Sequence, residues 1–169
     1  MFKIGQHVIH PGQGVCTVVD VTNDQPTPMI ILRAKSGHAA TQLMYPQSLM
    51  DRLHATISRE DAEELMSNYE TLAVDDFTER NSSLEEAYFK KQLKLGAPET
   101  VRVAKTMRAR IAHAERSGKK PSSYYSRVLK EAHRRSVEEL AVALEIAEED
   151  VEARMVETLA GIESLAAFN

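Results

Sequence analysis

Apolar and polar positions follow two rhythms along this chain, and the change falls near residue 56. Up to that point the apolar residues come in short runs: Val8-Ile9, then Cys16 to Val21, Met29 to Ala34 and His38 to Tyr45. Short runs rich in β-branched residues and bounded by turn formers are strand signals. Pro11-Gly12, the stretch Asn23-Asp24-Gln25-Pro26-Thr27-Pro28 and Ser36-Gly37 read as turns, and Pro46 closes the last run. Pro11-Gly12 suits a type II turn, because Pro presets φ at the first central position and Gly accepts positive φ at the second. Gly14 then returns the chain to a strand through a tight bend. Four strands in about fifty residues predict a small barrel or a curled antiparallel sheet. Edge strands left open by such a sheet suit docking on a partner.

From Ser58 the period becomes helical. Ser58 and Asp61 have capping-box spacing, and Ala62, Leu65, Met66, Tyr69 and Leu72 form one apolar face. A second box, Ser83 with Glu86, opens a helix with Leu84, Tyr88, Gln92 and Leu95 on one face and Gly96 as its stop. Pro98 starts a third helix that buries Val101, Ala104, Met107, Ile111 and Ala114 and ends at Gly118. A fourth runs from about Ser123 to Ala147 with Tyr125, Val128, Leu129, Ala132, Leu140 and Leu144 inward. A fifth uses Val151, Met155, Leu159 and Ile162. The expected fold class is α+β in two domains, a small β module over 1–54 and an all-α domain of about five helices over 55–169.

Charge is sorted along the chain. The net charge of −4 conceals a block, residues 100–136, with eleven bases and two acids, followed by 137–169 with one base and nine acids. Arg102, Lys105, Arg108 and Arg110 lie on the third helix, Arg116, Lys119 and Lys120 continue into the turn, and Arg127, Lys130, Arg134 and Arg135 follow on the fourth. Antiparallel packing of these two helices would gather the bases near one end, a surface that replaces the counterions of a polyanion. The alternative is a solvated face paired with neighbouring acids.

Other chemistry is sparse. Cys16 is the single cysteine and falls in a strand, where it reads as a small buried hydrophobe. The histidines His7, His10, His38, His54, His113 and His133 are scattered with no metal or catalytic spacing, and Gly12-Gln13-Gly14 lacks the Lys and Ser/Thr of a phosphate loop. No enzyme activity, cofactor, metal or small-molecule substrate is expected. The absence of a membrane-length apolar run or a secretion signal leads us to expect a cytoplasmic protein with no membrane partner.

The opening pattern Phe2-x-x-Gly5-x-x-Val8-x-x-Pro11-x-x-Gly14-Val15, with the later stretch Ile57-Ser58-Arg59-Glu60-Asp61-Ala62-Glu63-Glu64-Leu65-Met66, resembles the CarD/CdnL family of bacterial RNA polymerase-binding regulators. The resemblance implies a Tudor-like domain over 1–54 that grips the polymerase β subunit, and a helical domain over 55–169 that lies against upstream promoter DNA. It places polymerase contacts at Arg33, Leu43, Met44, Tyr45 and Pro46, with Met44 standing where family members carry an Arg. It also places Leu84 where members often carry a Trp that wedges into the minor groove; Leu can act as such a wedge but lacks the indole's stacking face. The phosphate contacts expected are Arg102, Lys105, Arg108, Lys119, Lys120 and Arg127, backbone-directed and weak.

Two rivals remain. Ser136 to Val151 resembles a helix-turn-helix phrase with Glu145 at the position that often holds Gly, but its second helix carries Glu148, Glu149, Asp150, Glu152 and Glu157 against Arg154, which opposes entry into a major groove. The other rival is a protein–protein adaptor whose helical domain does not bind DNA.

Overall fold

The computed structural model describes residues 1–35 and 41–167, the stretch 158–167 by backbone only. The predicted turn at Ser36-Gly37, the start of a strand at His38 and the packing of Leu159 and Ile162 lie outside the described residues. The fold is α+β. Five strands, β1 (His7–His10), β2 (Gly14–Thr22), β3 (Met29–Ala34), β4 (Gln42–Pro46) and β5 (His54–Ala55), form one antiparallel sheet in the order β4-β3-β2-β1-β5. The sheet is open, with β4 and β5 as its edges, so of the two expected forms the antiparallel sheet is seen and it does not close into a barrel. A register shift between Val18 and Asp20 places a bulge in β2, which increases local twist. One face buries Val8, Cys16, Val18, Ile30, Leu32 and Leu53.

The β1–β2 turn departs from the type II expectation, because Gly12 does not take positive φ whereas Gly14 does, at +81°. The His10 side chain is the reason. Its Nδ1 accepts the amides of Gly12 at 3.0 Å and Gln13 at 3.1 Å, and this turns the chain before Gly14 is reached. An imidazole that accepts at Nδ1 is neutral there, in keeping with a His10 pKa lowered by burial and by Arg135.

Five α-helices follow: α1 (Arg59–Ser67), α2 (Ser82–Leu93), α3 (Glu99–Arg116), α4 (Ser123–Leu144) and α5 (Glu148–Ala167), with 3-10 turns at Gln47–Arg52 and Tyr69–Thr71. Ser58 caps α1 as its spacing predicts, accepting the Asp61 amide at 3.1 Å. The start of α2 is different. Asn81, not Ser83, is the cap, accepting the Ser83 amide at 2.8 Å, and the inward face is Glu85, Phe89 and Leu93 rather than Leu84, Tyr88, Gln92 and Leu95. A buried glutamate on that face hides its period from a hydropathy reading.

Helix α4 is the axis of the molecule. From Arg135 to Ala141 every residue is buried, two adjacent glutamates included. Arg135 donates from Nη2 to the carbonyls of Pro11 and Gly12 at 3.0 and 3.1 Å, fastening the β1–β2 turn to the helix. Glu139, 1% exposed, accepts the Ile57 amide on Oε2 and the Ala97 amide on Oε1, each at 2.8 Å. One carboxylate thus holds the chain leaving the sheet and the turn between α2 and α3. Gly96 makes room for it: φ is +79°, and a Cβ there would come within 2.9 Å of Glu139 Oε1. Lys35 adds a third tie, with Nζ 3.5 Å from the Glu138 carbonyl and 3.4 Å from Glu148 Oε1. The sheet and the helices are therefore interlocked although each has its own apolar core.

Burial raises the Glu139 pKa, and the two amides oppose the rise. A carboxyl whose folded pKa exceeds its unfolded value stabilises the fold fully below the unfolded pKa and loses that contribution as pH rises through the folded one. Glu139→Gln should destabilise by about 1–3 kcal/mol, because the amide nitrogen cannot accept the backbone N–H that a carboxyl oxygen accepts there. In urea melts across pH the gap between wild type and variant should narrow as pH climbs out of the carboxylate range; a constant gap would contradict the assigned shift.

Candidate nucleic-acid interface

The bases of residues 100–136 have sharply different fates. Lys105 is consumed by the fold, its Nζ donating to the carbonyls of Tyr69, Glu70 and Leu72 at 2.7, 3.0 and 2.6 Å and standing 5.0 Å from the centre of the Tyr69 ring. It caps the Tyr69–Thr71 turn and is not presented as a phosphate ligand. Desolvation lowers its pKa. Arg102 is held by both carboxylate oxygens of Glu99 at 2.9 and 2.8 Å, one turn away on α3. Arg108 meets His133 Nδ1 at 3.1 Å, and His133 Nε2 in turn faces Glu152 at 3.3 Å.

Arg110 is the centre of a buried polar network. Its Nη1 donates to Glu85 Oε1 at 2.9 Å, while Nη2 bonds the carbonyls of Asp75, at 3.2 Å, and Phe77. Glu85 also accepts from the Tyr124 hydroxyl and from the Glu79 amide, the latter at 3.0 Å. Asp75 accepts from Tyr88 Oη at 2.7 Å, and its amide bonds Thr106 Oγ1 at 2.9 Å. This network nails the 73–81 segment across α2, α3 and α4. It explains why Tyr124 is buried where the helical period favoured Tyr125. Further along α4, Arg134 serves Glu131 and Glu138, and Arg135 serves Glu131 and the β1–β2 turn.

Four bases are left over. Arg116, Lys119, Lys120 and Lys130 are exposed, and their side chains make no hydrogen bond or ion pair among the described residues. Arg116, Lys119 and Lys120 cluster around the α3–α4 turn, where Gly118 takes φ +67° to close α3. Arg127 is one turn into α4 and 61% exposed, with Nη2 at 3.3 Å from both oxygens of Glu86, a carboxylate also shared with Lys90 at 3.1 Å. Those cations hold the Glu86 pKa below its ordinary value, chiefly through the Lys90 hydrogen bond. A shared, solvent-facing contact of this length can be surrendered to another anion.

The α3–α4 turn and the start of α2 meet at one end of the helical part, because Glu85 reaches Tyr124 and Glu86 reaches Arg127. Leu84 lies at that end and is 57% exposed. Between them opens a cleft of about 620 Å³ lined by Val74, Arg110, His113, Lys119, Lys120 and Tyr125, among others. Thus Lys119 and Lys120 line one cleft, and Arg127 and Leu84 lie at the same end of the helices without lining it, whereas Arg102, Lys105 and Arg108 are taken up by the fold elsewhere. His113 and Tyr125 are cleft residues that sequence reasoning did not assign to the site. A Tyr-Tyr pair beside a basic turn was the available signal, but period alone does not tell which ring is outside.

The expected polymerase contacts fall on β3 and the edge strand β4. Arg33 pairs with Gln42 and Ile31 with Met44, so these four share the sheet face opposite the core. Met44 is 62% exposed. Leu43 and Tyr45 point inward, Tyr45 packing edge-to-face on His10 with ring centres 5.3 Å apart, and Pro46 ends the strand. The helix-turn-helix phrase consists of the end of α4, a turn with Glu145 at φ 55°, and the start of α5, which opens on three acids. Its first helix is encased by the rest of the fold, so the pair is not presented as a free unit.

No cluster of three or more His, Cys, Asp or Glu side chains arranged for a metal occurs among the described residues. The Cys16 thiol is buried and its pKa is pushed up to about 11, chiefly by desolvation. Among the described residues no helix is long and apolar enough to cross a membrane. No protein-family model matches the chain, and no curated protein matches it.

Replacing Lys105 with Met should cost about 2 kcal/mol of stability, since three carbonyls lose a charged donor. The same change at Lys119 or Lys120 should fall within about 0.5 kcal/mol of wild type. Parallel urea titrations separate the two kinds of lysine, and equal effects would refute the division.

Proposed function

We propose that the protein is a non-catalytic transcription regulator that binds the RNA polymerase β subunit through the sheet and promoter DNA through the helical part. The observation that carries this reading is the meeting of unpaired Lys119, Lys120 and Arg116, the weakly paired Arg127 and the exposed Leu84 at one end of the helices. Phosphates would be met by the lysines and Arg127, with Leu84 as an apolar wedge at a base step. The sheet supports its half of the reading through short twisted strands, as in a Tudor-like module, and the open edge that exposes Met44 beside Arg33. Such an edge accepts a partner strand or side-chain packing. No bond chemistry is required. A factor tethered to polymerase that holds melted or bent DNA better than closed DNA favours the open complex, and about 1.4 kcal/mol of preference changes that balance tenfold. Tethering lets the intrinsic DNA affinity be weak.

A protein–protein adaptor is the second reading, favoured by the internal use of Arg102, Lys105, Arg110, Arg134 and Arg135. Reversing Lys119, Lys120 and Arg127 together to Glu discriminates. The regulator should lose at least about tenfold in affinity for a promoter duplex at low salt, and its salt dependence should flatten as phosphate contacts vanish. Unchanged binding in a fluorescence-anisotropy titration would leave the adaptor. For the other half, Met44→Glu in the full chain should abolish co-purification with the polymerase β subunit and leave DNA affinity intact; retained co-purification would remove β4 from the interface.

A further inference from the structure

The geometry points to the cleft between α3, α4 and the 73–81 segment as a receptor for a single unpaired nucleotide of a nucleic-acid strand. This inference rests on the nucleic-acid reading above and adds the form of the ligand.

The cleft has two chemically distinct ends. At its mouth stand Lys119 and Lys120, both exposed and without side-chain partners among the described residues, with Ser122 at the start of α4. No side chain caps that helix start and its first turn holds no acid, so its amides favour an anion beside the two ammonium groups. The remaining wall is mixed: Val74, Ala109, Ala114 and the half-buried Tyr125 ring, which packs edge-to-face against Tyr124 at 4.8 Å between centres, give it apolar and aromatic surface, and Thr78, Thr106, Arg110, His113 and Ser117 add polar groups. Two acids border the cleft, and both are committed. Glu85 is bound by Arg110, Tyr124 and the Glu79 amide, and Asp75 by Tyr88 and the Phe77 amide. The charge of Glu85 is thus offset by Arg110, while Asp75 keeps its charge but has both oxygens occupied as acceptors.

A cationic rim joined to an aromatic wall is the pattern that holds unpaired strands, in which phosphates follow the charges and bases stack on rings. At about 620 Å³ the space falls in the range of small-ligand sites and is too confined for a base-paired duplex. A duplex can touch the lysines, but its bases cannot reach Tyr125 without leaving the stack. Single and double strands should therefore depend on the lysines alike and on the aromatic wall differently.

The test uses the full chain and 5′-labelled oligonucleotides, one single-stranded and one a duplex of the same sequence, in anisotropy titrations at low salt. Tyr125→Ala should weaken single-strand binding about tenfold, Tyr125→Phe should retain it, and neither should alter duplex binding. Ala109→Trp offers a second probe, because Ala109 is exposed and a larger side chain there fills the cleft without removing a contact. It too should weaken the single strand and spare the duplex. Equal single-strand affinity in wild type, Tyr125→Ala and Ala109→Trp would overturn the inference while leaving the nucleic-acid reading intact if the duplex still binds. Loss of binding by both oligonucleotides in the wild type would sink the two together. Saturable binding of dAMP with the same dependence on Tyr125 and Ala109, without any preference for single strand over duplex, would also overturn it in favour of a free nucleotide.

Discussion

A carboxylate held by two backbone amides organises this molecule. Glu139 lies in the most enclosed stretch of α4, and its two oxygens receive the amides of Ile57 and Ala97, one from the exit of the sheet and the other from the α2–α3 turn. Both amides are half-buried donors that would otherwise lack this partner, at a cost of up to a lost hydrogen bond each. The neighbouring Arg135 does the complementary task, donating to the two carbonyls of the β1–β2 turn. One helix thus supplies an acceptor and a donor to three separate backbone segments. The apolar cluster of the sheet and the two of the helices become parts of one interlocked object.

The same helix accounts for how charge is used. A count of bases in residues 100–136 suggests a broad cationic face, but most guanidinium groups there are directed at backbone carbonyls or nearby acids. Their planar donors suit such fixed, multiply bonded positions. The lysines at the α3–α4 turn are left to solvent. What remains for an external polyanion is a compact group of charges at one end rather than a stripe along two helices. Its position beside Leu84 and the Tyr125 cleft gives that small group a chemical setting that total charge does not.

Much of the architecture was legible in the alternation of apolar residues. β3 appears at its expected bounds, α3 ends where Gly118 required, and Ser58 caps α1. Misreadings cluster where polar side chains are buried. Glu85 occupies an inward position of α2 because Arg110 and Tyr124 lie across from it, and this moved the apolar face one residue away from the expected Leu84 face. His10 shapes the β1–β2 turn in place of Gly12, through a ring nitrogen whose role depends on local geometry. β5 has two residues, too few for any period, and exists because β1 offers it an open edge. Within the candidate site Lys119, Lys120 and Arg127 were legible as exposed bases, whereas Lys105 has the same spacing but meets carbonyls from a segment more than thirty residues away.

The length of α4 has a mechanical corollary. Its 22 residues form a rod of roughly 33 Å. The first turn stands beside the lysine-rich cleft, and the buried middle is bolted to the sheet through the β1–β2 turn. Nothing jointed intervenes between those two places. Objects seated on the sheet and at the cleft would be kept at a set spacing, so the protein would work as a ruler whose gauge is counted in helical turns.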